Sequence, residues 1–232
     1  MTVEKKIVGK GPEVLLLLGY GVRLDHPGVK WLFRKFEKGG VKTTFLQLPV
    51  VIEDFREDIL DPVNNVRKDM RSHAVIGFSL GGLTASFLHD AEKRIFLSPF
   101  WGLNEEIEKG WMKVALKGLR VVRLRILPSR YDLVDMGYYS TEEDLKGMPE
   151  FMDFHTISEM METQKSMPPP EEGDIVYWSP QDPLISHDAV REREVRTREY
   201  KGGHMVYLVK DRERIFDEIV GMCRDTLESG ND

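Results

Sequence analysis

The sequence holds a single cysteine, Cys223, among its 232 residues. One thiol closes no disulfide within the chain, and cysteine-built metal sites are excluded. Long apolar runs are missing as well. The first residues, Met-Thr-Val-Glu-Lys-Lys, are charged, and the apolar run Val14–Leu18 is far too short for a secretory signal core or a membrane span. Neither is expected, and a cytoplasmic location follows as the default. There is no basic excess: the net charge of −6 is not the balance of a nucleic-acid-binding protein. No internal repeat or low-complexity tract is present. Gly19-Tyr20-Gly21 opens in the manner of a dinucleotide fingerprint, but Leu24 stands where the third glycine belongs and no acidic residue ends the next strand candidate. Nicotinamide and flavin chemistry is therefore set aside.

What is present is ordinary in bulk and specific in pattern. A hydrophobic share of 41% with 31% charged residues suits a globular protein, and the length admits one large α/β domain, with or without an insertion. Short apolar runs alternate with amphipathic stretches. Val14–Leu18, Thr43–Leu48, Ala74–Phe78, Arg94–Leu97 and Ile175–Trp178 read as strands, and Val195–Tyr200 as an outer strand. Pro27–Lys38 carries Val29, Leu32, Phe33 and Phe36 at helical spacing and stops at Gly39-Gly40. Val63–Met70, Leu80–Leu88 and Arg212–Leu227 read as further helices, the last with Ile215, Phe216, Ile219, Val220 and Cys223 on one face. This alternation predicts an α/β fold with a mostly parallel sheet covered on both faces.

One stretch breaks the rhythm. Residues 99–171 show no clear βα alternation, hold seven of the eleven methionines together with Trp101 and Trp111, and end in the stiff run Met167-Pro168-Pro169-Pro170-Glu171-Glu172-Gly173. They read as an insertion between two core strands. Its methionines and tryptophans suit an adaptable apolar lining, and equally suit simple packing onto the core. Arg120, Arg123, Arg125 and Arg130 form a basic run that reads as a solvated face.

The strongest local signal is Gly77-Phe78-Ser79-Leu80-Gly81-Gly82, directly after Ala74-Val75-Ile76. A Gly-x-Ser-x-Gly turn between a strand and a helix pushes the serine hydroxyl out above the sheet, and the glycines relieve crowding two residues to either side. A serine is a weak nucleophile unless a base takes its proton, and the base is normally a histidine oriented by a carboxylate. Of six histidines, His204 in Gly202-Gly203-His204-Met205 follows the last strand candidate and precedes the last helix. His26, His73, His89, His155 and His187 have no such setting. For the acid, Asp182 follows the strand Ile175–Trp178, at the carboxyl end where open α/β sheets place their ligands. Asp188, Glu105 and Glu106 are its competitors.

The order Ser79, Asp182, His204, each after its own strand, resembles the α/β-hydrolase superfamily, in particular its small serine esterases and lipase-like members. The resemblance covers about residues 10–98 and 172–228. It implies a mostly parallel central sheet flanked by helices, with a core of residues 1–98 and 172–232 and a lid over 99–171. It also implies a serine hydrolase that cleaves a small-molecule carboxylic ester through an acyl-enzyme, with no metal and no organic cofactor. The oxyanion donors would be the backbone N–H groups of Tyr20 and Leu80. Leu18 departs from the family pattern, which often has histidine there, while the donor itself is a backbone amide. A thioesterase, an amidase or a C–C hydrolase would use the same residues, and a non-catalytic binding protein on this fold is the reading from another class.

Overall fold

In the computed structural model, residues 3–70, 73–104, 125–128 and 151–229 are described. A seven-stranded sheet forms the centre. Its strands are β1 (Glu4–Val8), β2 (Glu13–Leu17), β3 (Lys42–Gln47), β4 (His73–Phe78), β5 (Lys93–Leu97), β8 (Ile175–Trp178) and β9 (Arg196–Glu199), in the order β1-β3-β2-β4-β5-β8-β9. All pairs are parallel except β1 with β3. Two short strands, β6 (Arg125–Pro128) and β7 (Phe151–Asp153), pair separately and antiparallel within the 99–171 stretch.

The central strands are apolar without a break because both faces are covered, and alternate side chains feed two cores. Val14, Leu16, Ile76, Phe78, Ile95, Leu97, Ile175 and Tyr177 face one side. There they meet α1 (Pro27–Lys38) through Val29, Leu32 and Phe36, and α6 (Arg212–Ser229) through Ile215, Phe216 and Ile219. Leu15, Leu17, Val75, Phe96, Val176 and Trp178 face the other side, covered by α2 (Asp61–Arg67), α3 (Leu80–Ala85), α4 (Phe154–Lys165) and α5 (His187–Arg191). Each large apolar side chain so buried stabilises the fold by about 1.5–3 kcal/mol.

Local chemistry sets the helix limits. Pro27 occupies the first turn of α1, the His26 ring accepts the Gly28 N–H, Lys35 and Lys38 lie in the last turn, and Gly40 follows at φ 74°. The helix after Ser79 is shorter than expected, ending at Ala85 rather than Leu88. Thr84 and Ser86 turn their hydroxyls back onto the carbonyls of Leu80 and Gly82, a competition that closes helices early. A single π turn, Arg56–Leu60, leads into α2.

Two elements differ from the sequence expectation. Strand β1 was not anticipated: Glu4-Lys5-Lys6 is exposed and charged, and its pairing to β3 comes from backbone bonds. Both edge strands, β1 and β9, carry charge of this kind, which discourages a second chain from adding to the sheet. Helix α4 lies in the stretch read as lacking βα rhythm. Its Ile157 and Met160 are buried in the second core, and the Thr156 hydroxyl accepts the Ile52 N–H at 3.0 Å. Trp101 is also buried there, its indole N–H on Ser86 Oγ at 2.9 Å.

At the opposite end of β5 from the serine, buried Arg94 holds Asp174 with both arms of its fork, at 3.0 and 2.7 Å, fastening β5 to the start of β8. Gly221, inside α6, has nothing within 4 Å of where a Cβ would stand. Gly221→Ala should therefore stabilise the protein by about 0.5–1 kcal/mol, raising the melting temperature by about 1–4 °C in a thermal melt. An unchanged or lower midpoint would contradict this packing of α6.

The connections decide where a ligand sits. From β2 the chain leaves to α1 on one face, and from the neighbouring β4 it leaves to α3 on the other. Loops that part in this way open a crevice at the carboxyl ends of the two strands. Leu18–Tyr20 and Ser79 lie at those two ends. Among the described residues, no helix is long and apolar enough to cross a membrane.

Candidate active site

Ser79 follows β4 at φ 53° and ψ −113°, a conformation that costs a side-chain-bearing residue about 1–3 kcal/mol. The turn is held from several sides. Its N–H donates to Leu97 O at 3.0 Å, and its carbonyl accepts Gly82 N–H at 2.8 Å and Phe100 N–H at 3.0 Å. The flanking glycines are required by close approach. A Cβ on Gly77 would stand 2.3 Å from Gly81 O, and one on Gly81 would stand 2.2 Å from Leu17 O. Strand, turn and helix thus touch backbone to backbone, leaving the serine hydroxyl as the group that projects.

The loop after β2 backs onto this turn. A Cβ on Gly19 would lie 3.1 Å from Ser79 Cβ and 2.9 Å from the Phe78 ring. That closeness places the Gly19–Tyr20 backbone beside Ser79. Three bonds pin the loop: Val22 N–H to Gly19 O at 3.2 Å, Leu24 N–H to Gln47 Oε1 at 2.9 Å, and Tyr20 OH to Val50 O at 2.8 Å. Leu18 is fully buried in the core and donates its N–H to Leu46 O. Leu80 opens α3, so its N–H has no acceptor within the helix.

Asp182 and His204 come from the loops after β8 and β9 and meet at 2.7 Å, Oδ2 to Nδ1. Asp182 is fully buried and His204 is 3% exposed. An ionised carboxylate only accepts, so Nδ1 carries the proton and donates. Nε2 of the neutral ring is then the acceptor, the form a general base needs. Burial by itself pushes the Asp182 carboxyl up. The charge and hydrogen bond of His204 and the Leu184 N–H on Oδ1 at 3.0 Å outweigh it and hold the group below the usual carboxylate value. The His204 ring rests on Phe78, centroids 5.1 Å apart, and Phe78 in turn lies beside Ser79 in the chain. Ser179 and Gln181 tie the acid loop to the histidine loop: Ser179 OH donates to Gly202 O, and Gln181 Oε1 accepts Gly202 N–H at 3.1 Å.

The competitors sit elsewhere or outside the described residues. Asp188 is exposed on α5 and 4.0 Å from Arg191. Glu105, Glu106, Trp111, Arg120, Arg123 and Arg130 lie outside the described residues, and Arg125 is placed only as backbone of β6. His26 caps α1, His89 pairs with Glu171, His155 binds Glu53 O, and His187 donates to the carbonyl of Asp182 at 2.8 Å. His73 is buried at the start of β4, at the other end of the strand from Ser79. Among the described residues no cluster of three or more His, Cys, Asp or Glu is placed to hold a metal ion. A cleft of ≈ 490 Å³ runs beside the histidine loop, lined by Gln181, Gly203, His204, Met205, Leu208 and Val209.

Sequence reasoning passed over Ser98, Ser179 and Tyr200, which brace these loops. A signal did exist for the serines: Ser98-Pro99 and Ser179-Pro180 both stand just past a core strand. Nothing in the sequence pairs either with its partner.

No protein-family model matches the chain, and no curated protein matches it in sequence. Solved structures do match it in shape. The monoacylglycerol lipase of Paleococcus ferrophilus superposes with a TM-score of 0.72 at 16% identity, over 97% of this chain and 100% of that one. A soluble variant of the monoglyceride lipase of Saccharomyces cerevisiae, in complex with a substrate analogue, gives 0.75 at 12% identity, over 96% and 91%. An esterase of Exiguobacterium antarcticum gives 0.67 at 14%, over 96% and 95%. Sheet order, serine turn and these likenesses agree on one architecture: the chain has the α/β-hydrolase fold.

Proposed function

We propose that this protein is a serine hydrolase that cleaves a carboxylic ester through an acyl-enzyme. The observation that carries the reading is the 2.7 Å contact of buried Asp182 with His204, on loops at the same end of the sheet as the strained Ser79 turn. In this reading Ser79 Oγ attacks the acyl carbon while His204 Nε2 takes its proton. The backbone N–H groups of Tyr20 and Leu80 receive the developing oxyanion, each such donor contributing about 3 kcal/mol to the transition state. His204 then protonates the departing alkoxide. Water enters, gives a proton to His204 and releases the acid, returning the proton to Ser79. Asp182 holds the ring in the tautomer that accepts at Nε2 and stabilises its charge. No metal or organic cofactor enters these steps, and a cytoplasmic location is part of the same proposal.

Residues 99–171 are proposed as the lid that selects the acyl group. Both described flanks support this by running along the site's rim. Ser186 N–H donates to Gly102 O at 2.8 Å and Asn104 N–H to Leu184 O at 2.9 Å, beside the acid loop, while Gln164 of α4 reaches Phe100 O at 3.0 Å. A panel of p-nitrophenyl esters of increasing acyl length, set against acyl-CoA thioesters and anilides, tests both parts. Turnover of the esters above the other classes is expected, with stoichiometric labelling by a fluorophosphonate. Trp111→Ala should move the preferred chain length, since each buried methylene contributes about 0.8 kcal/mol. Thioester or amide preference would reassign the substrate class, and failure to label would favour a binding protein on this fold.

A further inference from the structure

Three loops carry the proposed triad, and a fourth touches all of them. The turn Leu97–Phe100 follows β5. Its Leu97 carbonyl accepts the Ser79 N–H and its Phe100 N–H donates to the Ser79 carbonyl, both at 3.0 Å. Between them stands Ser98, fully buried and at φ 41°, with its N–H on Tyr177 O at 2.8 Å. Apart from Ser79, it is the one non-glycine among the described residues in that region of backbone space. Its hydroxyl lies 2.7 Å from the hydroxyl of Tyr200, itself 3% exposed. That phenol lies 3.2 Å from Gly203 O and 3.5 Å from His204 O.

We infer that Ser98 and Tyr200 are positioning residues, a cross-brace that holds Asp182 and His204 in register with Ser79. The inference rests on the triad reading above. A glycine at position 98 would carry no strain, so keeping a serine there calls for its hydroxyl. Proton counting gives the brace a direction. Tyr200 has one proton; burial, then the nearby Asp182 charge, push its phenol far above the ordinary value, so that proton stays on. Donated to Gly203 O at 3.2 Å, it leaves the phenol oxygen to accept the Ser98 proton at 2.7 Å. Hydrogen bonds in such a chain polarise one another. The same phenol steers the backbone of the histidine loop from below. Ser79, Asp182 and His204 are thereby fixed to one turn rather than each to its own strand.

Removing the brace should change the chemistry and leave substrate binding alone. Ser98→Gly relieves strain and deletes the hydroxyl, so it should melt no lower than the parent while kcat falls by about five- to tenfold at constant KM. Tyr200→Phe should lower kcat several-fold, and the double variant should lose less than the product of the two single losses, because both act through one chain. A parental kcat in Ser98→Gly, or a loss carried by KM instead of kcat, would overturn the brace. So would a loss of activity that only tracks a loss of stability. Ser79→Ala in the same assays separates the readings. If it stays active, the serine mechanism fails and the brace with it; if it is dead while Ser98→Gly behaves as the parent, the brace alone fails.

Discussion

Ser79→Ala is expected to lose ester hydrolysis by about six orders of magnitude and to take up no fluorophosphonate, while remaining folded. In the proposed mechanism the loss is large because every proton that His204 and Asp182 help to move depends on the acyl-enzyme this hydroxyl forms. Without it they have nothing to activate, and what survives is water attack helped by the oxyanion donors. The fold should not suffer. The hydroxyl makes none of the bonds that hold the turn; those run through the Ser79 N–H and carbonyl to Leu97, Gly82, Leu83 and Phe100. A second substitution checks the strain itself. At φ 53° and ψ −113° alanine is as strained as serine, whereas glycine is at ease. Relief of about 1–3 kcal/mol exceeds the 0.5–1 kcal/mol or so that glycine's extra chain freedom takes away. Ser79→Gly should thus melt above Ser79→Ala, both variants being inactive. Full activity in Ser79→Ala would remove the nucleophile and the mechanism with it, and a lower melting point for the glycine variant would refute the strain.

Asp182→Asn should fold and lose about four orders of magnitude in kcat. The direction follows from the donors around the carboxylate. Leu184 N–H points at Oδ1, 3.0 Å away, and needs an acceptor, so the asparagine carbonyl takes that place. Its amide NH₂ then faces His204 Nδ1, which must accept. The ring's proton is forced to Nε2, where it can no longer take one from Ser79. Asp188→Asn, altering an exposed residue on α5, should keep nearly parental rates. If Asp188→Asn is crippled and Asp182→Asn is not, the acid is misassigned. Acid titration adds a second check. A carboxyl whose folded-state value lies below its unfolded value of about 3.9 favours folding above that pH, and the contribution disappears as pH falls through the folded value. The parent should therefore lose stability below about pH 4 that the asparagine variant has no carboxyl to lose.

The sequence by itself determined the parts whose cause is local. Strands β2, β4, β5 and β8 are legible because burial on both faces demands unbroken apolar runs, so Val14–Leu17 or Ile175–Trp178 needs no partner to be recognised. Helix α1 announces its limits through Pro27 and Gly39-Gly40. The serine turn is legible because its glycines flank the serine within five residues, Gly77 to Gly81, although the crowding at Gly81 comes from distant Leu17. Other features depend on residues far apart and left no such mark. Strand β1 is charged, and only its backbone pairing with β3 makes it a strand. Helix α4 is held by contacts such as Ile52 to Thr156, 104 residues apart. Asp182 and Asp188 stand six residues apart with equal chemistry, and only the folded chain turns the first inward to His204 and leaves the second exposed on α5. Ser98 and Tyr200, 102 residues apart, meet because parallel strands bring the loops at their carboxyl ends together, whatever the distance along the chain. Residue types and local sterics could nominate the groups; their distances and burial exist only once the sheet has assembled.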